Sequence, residues 1–154
     1  MFSVILYEPE IPPNTGNIIR LCANTGTSLH LIEPLGFEMD EKRLRRAGLD
    51  YSEFVTVETH QSLQECLDAL DKPRVFALST KNSTRYDQAE FQKGDALLFG
   101  PETRGLPKDL LEALPPDQRL RLPMREGNRS LKLSKSAAVV VYEAWRQRGF
   151  PGGS

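Results

Sequence analysis

The chain has 154 residues, 39% hydrophobic and 27% charged, with 20 basic against 21 acidic side chains and a formal net charge of −1. That composition reads as one soluble globular domain with enough chain for a sizeable core, and its bulk charge does not advertise nucleic-acid binding. No apolar run approaches the roughly 20 residues of a membrane helix, so no membrane partner is expected.

Met1-Phe2-Ser3 leads straight into a strand pattern, without the basic segment and cleavage site of a secretory signal, and a cytoplasmic address is the expectation. Phe2–Tyr7 reads as the first strand. A helical pattern follows from Asn14 to Thr25, carrying Ile18, Ile19, Leu21 and Cys22, with Asn14 or Thr15 as N-cap and Gly26 as its stop. Ser28–Glu33 and Phe54–Glu58 are the next strands. Between them lies a basic cluster, Lys42, Arg43, Arg45 and Arg46, while carboxylates gather at Glu8, Glu10, Glu38, Asp40, Glu41 and Glu53. Ser62–Leu70 repeats Leu63, Cys66, Leu67 and Leu70 at helical spacing. Arg74–Ser79 and Ala96–Phe99 read as buried strands, the second stopped by Gly100-Pro101. Pro107–Leu114 is a short helix, Arg119–Leu122 a strand, and Ser134–Arg148 the longest helix. Strand–helix alternation with apolar strands predicts an α/β fold, a parallel sheet with helices on both faces. Residues 1–150 form a single domain in this reading, and 151–154 a frayed tail.

The last helix is apolar nearly all round, through Ala137, Ala138, Val139, Val140, Val141, Tyr142, Ala144 and Trp145. Such a helix needs cover on more than one side, either from a second subunit or as a central helix of one chain. Cys22 and Cys66 read as reduced core thiols rather than a disulfide. His30, in a strand pattern, and His60, in a polar turn, read as structural or surface groups. No histidine, cysteine and carboxylate set has metal spacing, and no metal is expected.

Three segments share one character, a polar loop between a strand pattern and a helical one. They are Asn14–Arg20, Leu98–Gly105 (with Glu102, Thr103 and Arg104) and Asn128–Ser136. Loops at strand ends of an open α/β sheet are where ligands bind. Gly16, Asn17 and Arg20 can share one helix face, either as an anion site or as a capped helix with a surface arginine. Ser134 or Ser136 can serve as an N-cap. A second basic cluster comprises Arg119, Arg121, Arg125, Arg129, Lys132 and Lys135, and basic stripes on a neutral protein can bind phosphates.

Together these segments resemble the SPOUT RNA methyltransferases, specifically the SpoU-like 2′-O-ribose branch. Tyr7–Gly26, Lys42–Tyr51, Phe99–Leu106 and Val141–Gln147 are similar to its members that act on the tRNA wobble position, and the likeness covers essentially the whole chain. The resemblance implies a small α/β domain with a deep C-terminal trefoil knot, a homodimer packed partly through the last helix, and S-adenosyl-L-methionine as methyl donor. It implies 2′-O-methylation of the ribose at the anticodon wobble nucleotide, a cytidine or a modified uridine. It further implies a cofactor pocket of Leu78, Gly100, Leu122, Ser130 and Leu131, with catalytic Arg20 and Glu102. Contacts to tRNA would come from Asn17, Lys42, Arg43, Arg46, Arg129 and Tyr142. One departure stands out. The third motif usually reads Asn-Leu-Ser-Asn, and here it is Lys132-Leu133-Ser134-Lys135. Two cations near a sulfonium are unfavourable. The alternative reading is therefore a knotted dimer, natural or engineered, that binds RNA or cofactor but turns over poorly.

Overall fold

The computed structural model describes residues 1–38, 57–127 and 131–154. Seven strands form one sheet: β1 (Ser3–Tyr7), β2 (Ser28–Ile32), β3 (Val57–His60), β4 (Val75–Leu78), β5 (Thr84–Arg85), β6 (Ala96–Phe99) and β7 (Arg119–Arg121). Their order is β3-β2-β1-β6-β4-β7-β5, and every pairing is parallel. Among the described residues, four α-helices flank it: α1 (Pro12–Thr25), α2 (Leu63–Ala69), α3 (Lys108–Glu112) and α4 (Leu133–Gln147).

Alternation along the strands explains the two-sided core. Val4 and Leu6 of β1, Leu29 and Leu31 of β2, Leu97 and Phe99 of β6 and Leu120 of β7 face one way, against Ile18, Ile19 and Cys22 of α1 and Ala137, Val140, Val141 and Ala144 of α4. Ile5, Ile32, Ala77 and Leu98 face the other way, against Cys66 of α2 and Leu111 of α3. Both cysteines are buried free thiols, pushed up to about 12 for Cys22 and about 11 for Cys66, chiefly by desolvation.

Several local expectations need correction. α1 starts two residues before Asn14, with Pro12 and Pro13 in its first turn and Ile11 as an N-cap that offers no side-chain bond. Proline suits that position, because its missing N–H has no intrahelical acceptor to lose. Gly26 ends α1 as expected, at φ 71°, its N–H donating to the Cys22 carbonyl. α4 starts at Leu133, and neither Ser134 nor Ser136 caps it; Lys132 holds that position without a side-chain bond. β3 lies at Val57–His60, paired with β2 from Leu29↔Val57 to Ile32↔His60. His60 is thus a strand residue rather than part of a turn, while residues 54–56 of the expected strand lie outside the described residues. β5 has only two residues, too few to carry a hydrophobic pattern. Beyond α4, Trp145 Nε1–H donates to the Pro151 carbonyl at 3.0 Å.

α4 is not a central helix of one chain. Val139 is 40% exposed and Tyr142 44% exposed, and neither belongs to the core cluster that holds Ala137, Val140, Val141 and Ala144. Among the described residues, no helix is long and apolar enough to cross a membrane.

Candidate functional site

A cleft of about 810 Å³ opens at the carboxyl ends of β4, β6 and β7. Its walls are the chain that leaves those strands: Leu78–Lys81 after β4, Phe99–Leu106 after β6, and Leu122 and Met124 after β7. Leu131–Leu133 and Ser136, at the entrance to α4, and Ile11, Pro13 and Asn14, at the start of α1, close it. This is the crevice position that open parallel sheets provide for ligands.

Gly100 makes the β6 loop possible. A Cβ there would lie 2.5 Å from the Leu106 nitrogen and 2.7 Å from the Gly105 carbonyl carbon, both backbone atoms that cannot yield. The loop turns back on itself through the Gly105 N–H, which donates to the Pro101 carbonyl at 2.9 Å.

That loop is clamped onto the chain after β1 in both directions. Glu102 accepts from the Glu10 N–H at 2.9 Å and the Ile11 N–H at 2.7 Å. Glu10 in turn accepts from the Thr103 N–H at 2.9 Å and its Oγ1 at 2.7 Å. Arg104 pairs with Glu8 at 3.2 Å. The Thr103 N–H first, then its hydroxyl, hold the Glu10 carboxyl below its ordinary range. Glu102 also accepts from Asn14 Nδ2 at 3.3 Å, and Ser134 Oγ donates to Asn14 Oδ1 at 3.4 Å. One residue from each of the three polar loops therefore meets at the floor of α1. The Glu102 carboxylate, with donors on both oxygens, supplies to the start of α1 the cap that no local side chain offers.

Four of the expected cofactor residues, Leu78, Gly100, Leu122 and Leu131, line this one cleft, and Ser130 lies outside the described residues. Lys42, Arg43, Arg46 and Arg129 also lie outside them. Asn17 and Arg20 are exposed on α1 and are not among the cleft's lining residues, and Gly16 is buried. Tyr142 is exposed and packs edge-on against Trp145, with ring centroids 5.5 Å apart, away from the cleft lining. Lys132 lines the cleft, whereas Lys135 is exposed and does not. Arg119 leaves the second basic cluster, because its guanidinium donates to the Leu114 carbonyl at 2.8 Å and the Glu112 carbonyl at 3.4 Å.

Sequence reasoning missed Glu10 as a clamp residue, and Ser79–Lys81 as cleft wall. The signal for the second was available, since these residues follow a strand by the same rule that picked out Gly100. Glu10 gave no such signal, because its partner Thr103 lies 93 positions away.

Comparison with known proteins adds to this geometry. The profile of the SpoU rRNA methylase family matches residues 1–142. The tRNA (cytidine(34)-2'-O)-methyltransferase of Methylovorus glucosotrophus is 58% identical over 152 residues, covering 99% of each chain. A solved structure described as giving insights into the 2-OH methylation of C/U34 on tRNA superposes with a TM-score of 0.88 at 45% identity, covering 97% of each chain. The SpoU methyltransferase AviRb from Streptomyces viridochromogenes, in complex with the cofactor AdoMet, superposes with a TM-score of 0.80 at 25% identity, over 99% of this chain and 58% of that one.

Proposed function

The chain belongs to the SpoU rRNA methylase family, and from that premise we propose that it methylates the ribose 2′-hydroxyl of the tRNA wobble nucleotide, cytidine or modified uridine, with S-adenosyl-L-methionine as donor. The observation that carries this reading is the convergence of Asn14, Glu102 and Ser134 beside a cleft walled by three strand ends. Relatives about as long as this chain bear the name of that activity.

The cleft fits the donor. Leu78, Phe99, Leu122 and Leu131 give apolar walls for an adenine ring, and the bare backbone at Gly100 leaves peptide groups to recognise its edge. Bound there, the donor supplies a methyl group already activated on a positively charged sulfur. The protein must then aim the hydroxyl and ease its deprotonation. Arg20 is a permanent cation, so in this reading it stabilises the developing alkoxide and grips the adjacent phosphate, while the proton passes to phosphate or water. Glu102 has its carboxylate committed to the start of α1, and we assign it a positioning role instead of a catalytic one. Asn17, Lys42, Arg43, Arg46, Arg129 and Tyr142 are the proposed tRNA contacts.

The reading includes a homodimer, supported by the exposed apolar side of α4, and a C-terminal trefoil knot. For the knot, the supporting feature is strand order. β7 lies between β4 and β5, so the chain returns to insert between two strands already made. Ordinary topology rules do not anticipate such a path.

A second reading, a binding protein with poor turnover, keeps one specific support: Lys132 lines the cleft. Lys135 does not share that position, which halves the electrostatic objection; at the start of α4 both lysines suit a phosphate. The test is incubation with methyl-labelled donor and bulk tRNA, then mapping of the labelled nucleotide, for the natural chain and for Lys132→Asn with Lys135→Asn. Label at the wobble ribose supports the first reading. Label only with the double variant supports the second, and label at another position contradicts both.

A further inference from the structure

The parallel pairing of β2 with β3 builds a cluster on the sheet face opposite α1 and α4. His30 stands beside Glu58 and Ile32 beside His60 in the register, so His30, Glu58 and His60 project on one side. α2 lies over that side and turns Cys66 toward them. His30 Nδ1 and His60 Nε2 are 3.0 Å apart, and one ring nitrogen of each histidine and Cys66 Sγ all lie within 4.8 Å of one another. A Glu58 carboxylate oxygen is 3.7 Å from His30 Nδ1 and 3.8 Å from His60 Nε2.

We propose that His30, His60, Cys66 and Glu58 form a zinc(II) site that clips the edge strand β3 and helix α2 to β2. The donor set is the argument for the metal. Two imidazoles, a thiolate and a carboxylate form a borderline-soft, four-ligand shell, which suits zinc and not magnesium or calcium. In a tetrahedral zinc site the ligand atoms are about 3.3–3.6 Å apart, against 3.0 Å for the two ring nitrogens and at most 4.8 Å across the His30, His60 and Cys66 group, and Glu58, its side chain 67% exposed, swings in as the fourth ligand.

The surroundings prepare it. Ser28 Oγ lies 3.1 Å from His30 Nε2 and donates its own proton to Ser3 Oγ at 2.9 Å. Ser28 therefore accepts the His30 Nε2–H, which leaves the Nδ1 lone pair facing the cluster, the outer-shell arrangement that orients metal-binding histidines. Cys66 is fixed from the other side. Ser62 caps α2 by accepting the Glu65 N–H at 3.1 Å, and the Cys66 N–H donates to the Ser62 carbonyl. Coordination replaces the Cys66 thiol proton, which passes to solvent, and moves the His60 ring proton to Nδ1. None of the four residues lines the cleft at the carboxyl ends of β4, β6 and β7. The site is structural, and its test does not depend on methyl transfer.

The test uses the full chain stripped by a chelator and titrated with zinc(II), then with cobalt(II) as a spectroscopic probe. One ion per chain is expected, with a micromolar or tighter dissociation constant, a raised melting temperature, and cobalt bands showing tetrahedral geometry with a thiolate charge-transfer feature. Cys66→Ser should abolish the thiolate feature. His60→Ala, near the surface, should weaken zinc binding about tenfold or more. His60→Ala also supplies a readable variant if the core change at Cys66 impairs folding. No stoichiometric uptake by the natural chain overturns the proposal, and so does uptake that both variants retain undiminished.

Discussion

Glu102 sets the start of α1 from 91 positions away, through the Ile11 N–H. Removing its carboxylate leaves the Glu10 and Ile11 donors without their acceptor, so Glu102→Ala should destabilise the fold by about 1–2 kcal/mol, the scale of losing a helix cap, read by denaturant melts. Donor affinity should fall with it, because the same loop carries Gly100. The reciprocal contact has a pH signature. The Glu10 carboxyl sits below its ordinary value of 4.5 because Thr103 bonds to its charged form. A depressed carboxylate contributes stability above its unfolded value and loses it as pH falls through the folded one. Protection of the Thr103 amide from hydrogen exchange should therefore hold at pH 6 and fade below about pH 4.5. A flat profile would place the proton elsewhere.

α1 and α4 share one face of the sheet, and Ile18 of α1 is fully buried in the core on that face. Ile18→Ala should cost about 2–5 kcal/mol, the range for emptying a packed aliphatic site. Elements whose determinants are local were legible in the sequence. α2 falls within the Ser62–Leu70 repeat, Gly26 stops α1, and the apolar strands β1, β2, β4 and β6 fall where Val, Leu, Ile and Phe gather. Elements whose determinants are distant were not. The true start of α1 depends on Glu102, and β5 exists only because β7 arrives beside it. The same division runs through the site. Leu78, Gly100, Leu122 and Leu131 were placed together by the family resemblance. The His30, His60 and Cys66 cluster could not, since three separate elements contribute to it and no spacing rule joins them.

On the scale of the whole molecule, α4 leaves Val139 and Tyr142 open, and Tyr142, Trp145 and Phe150 form an edge-to-face aromatic run beside them. This open apolar helix face is the surface on which the proposed homodimer rests. Sedimentation at micromolar concentration should give about twice the 17.3 kDa chain mass. A monomer would contradict the dimer. The central claim is narrower than the assembly: one hydroxyl, at the wobble ribose, receives the methyl group. The most direct measurement compares methyl incorporation into two synthetic tRNAs that differ only by a 2′-deoxyribose at the wobble position. The natural tRNA should take up the label and the deoxy version none, while both bind alike; equal labelling of the two would contradict the account.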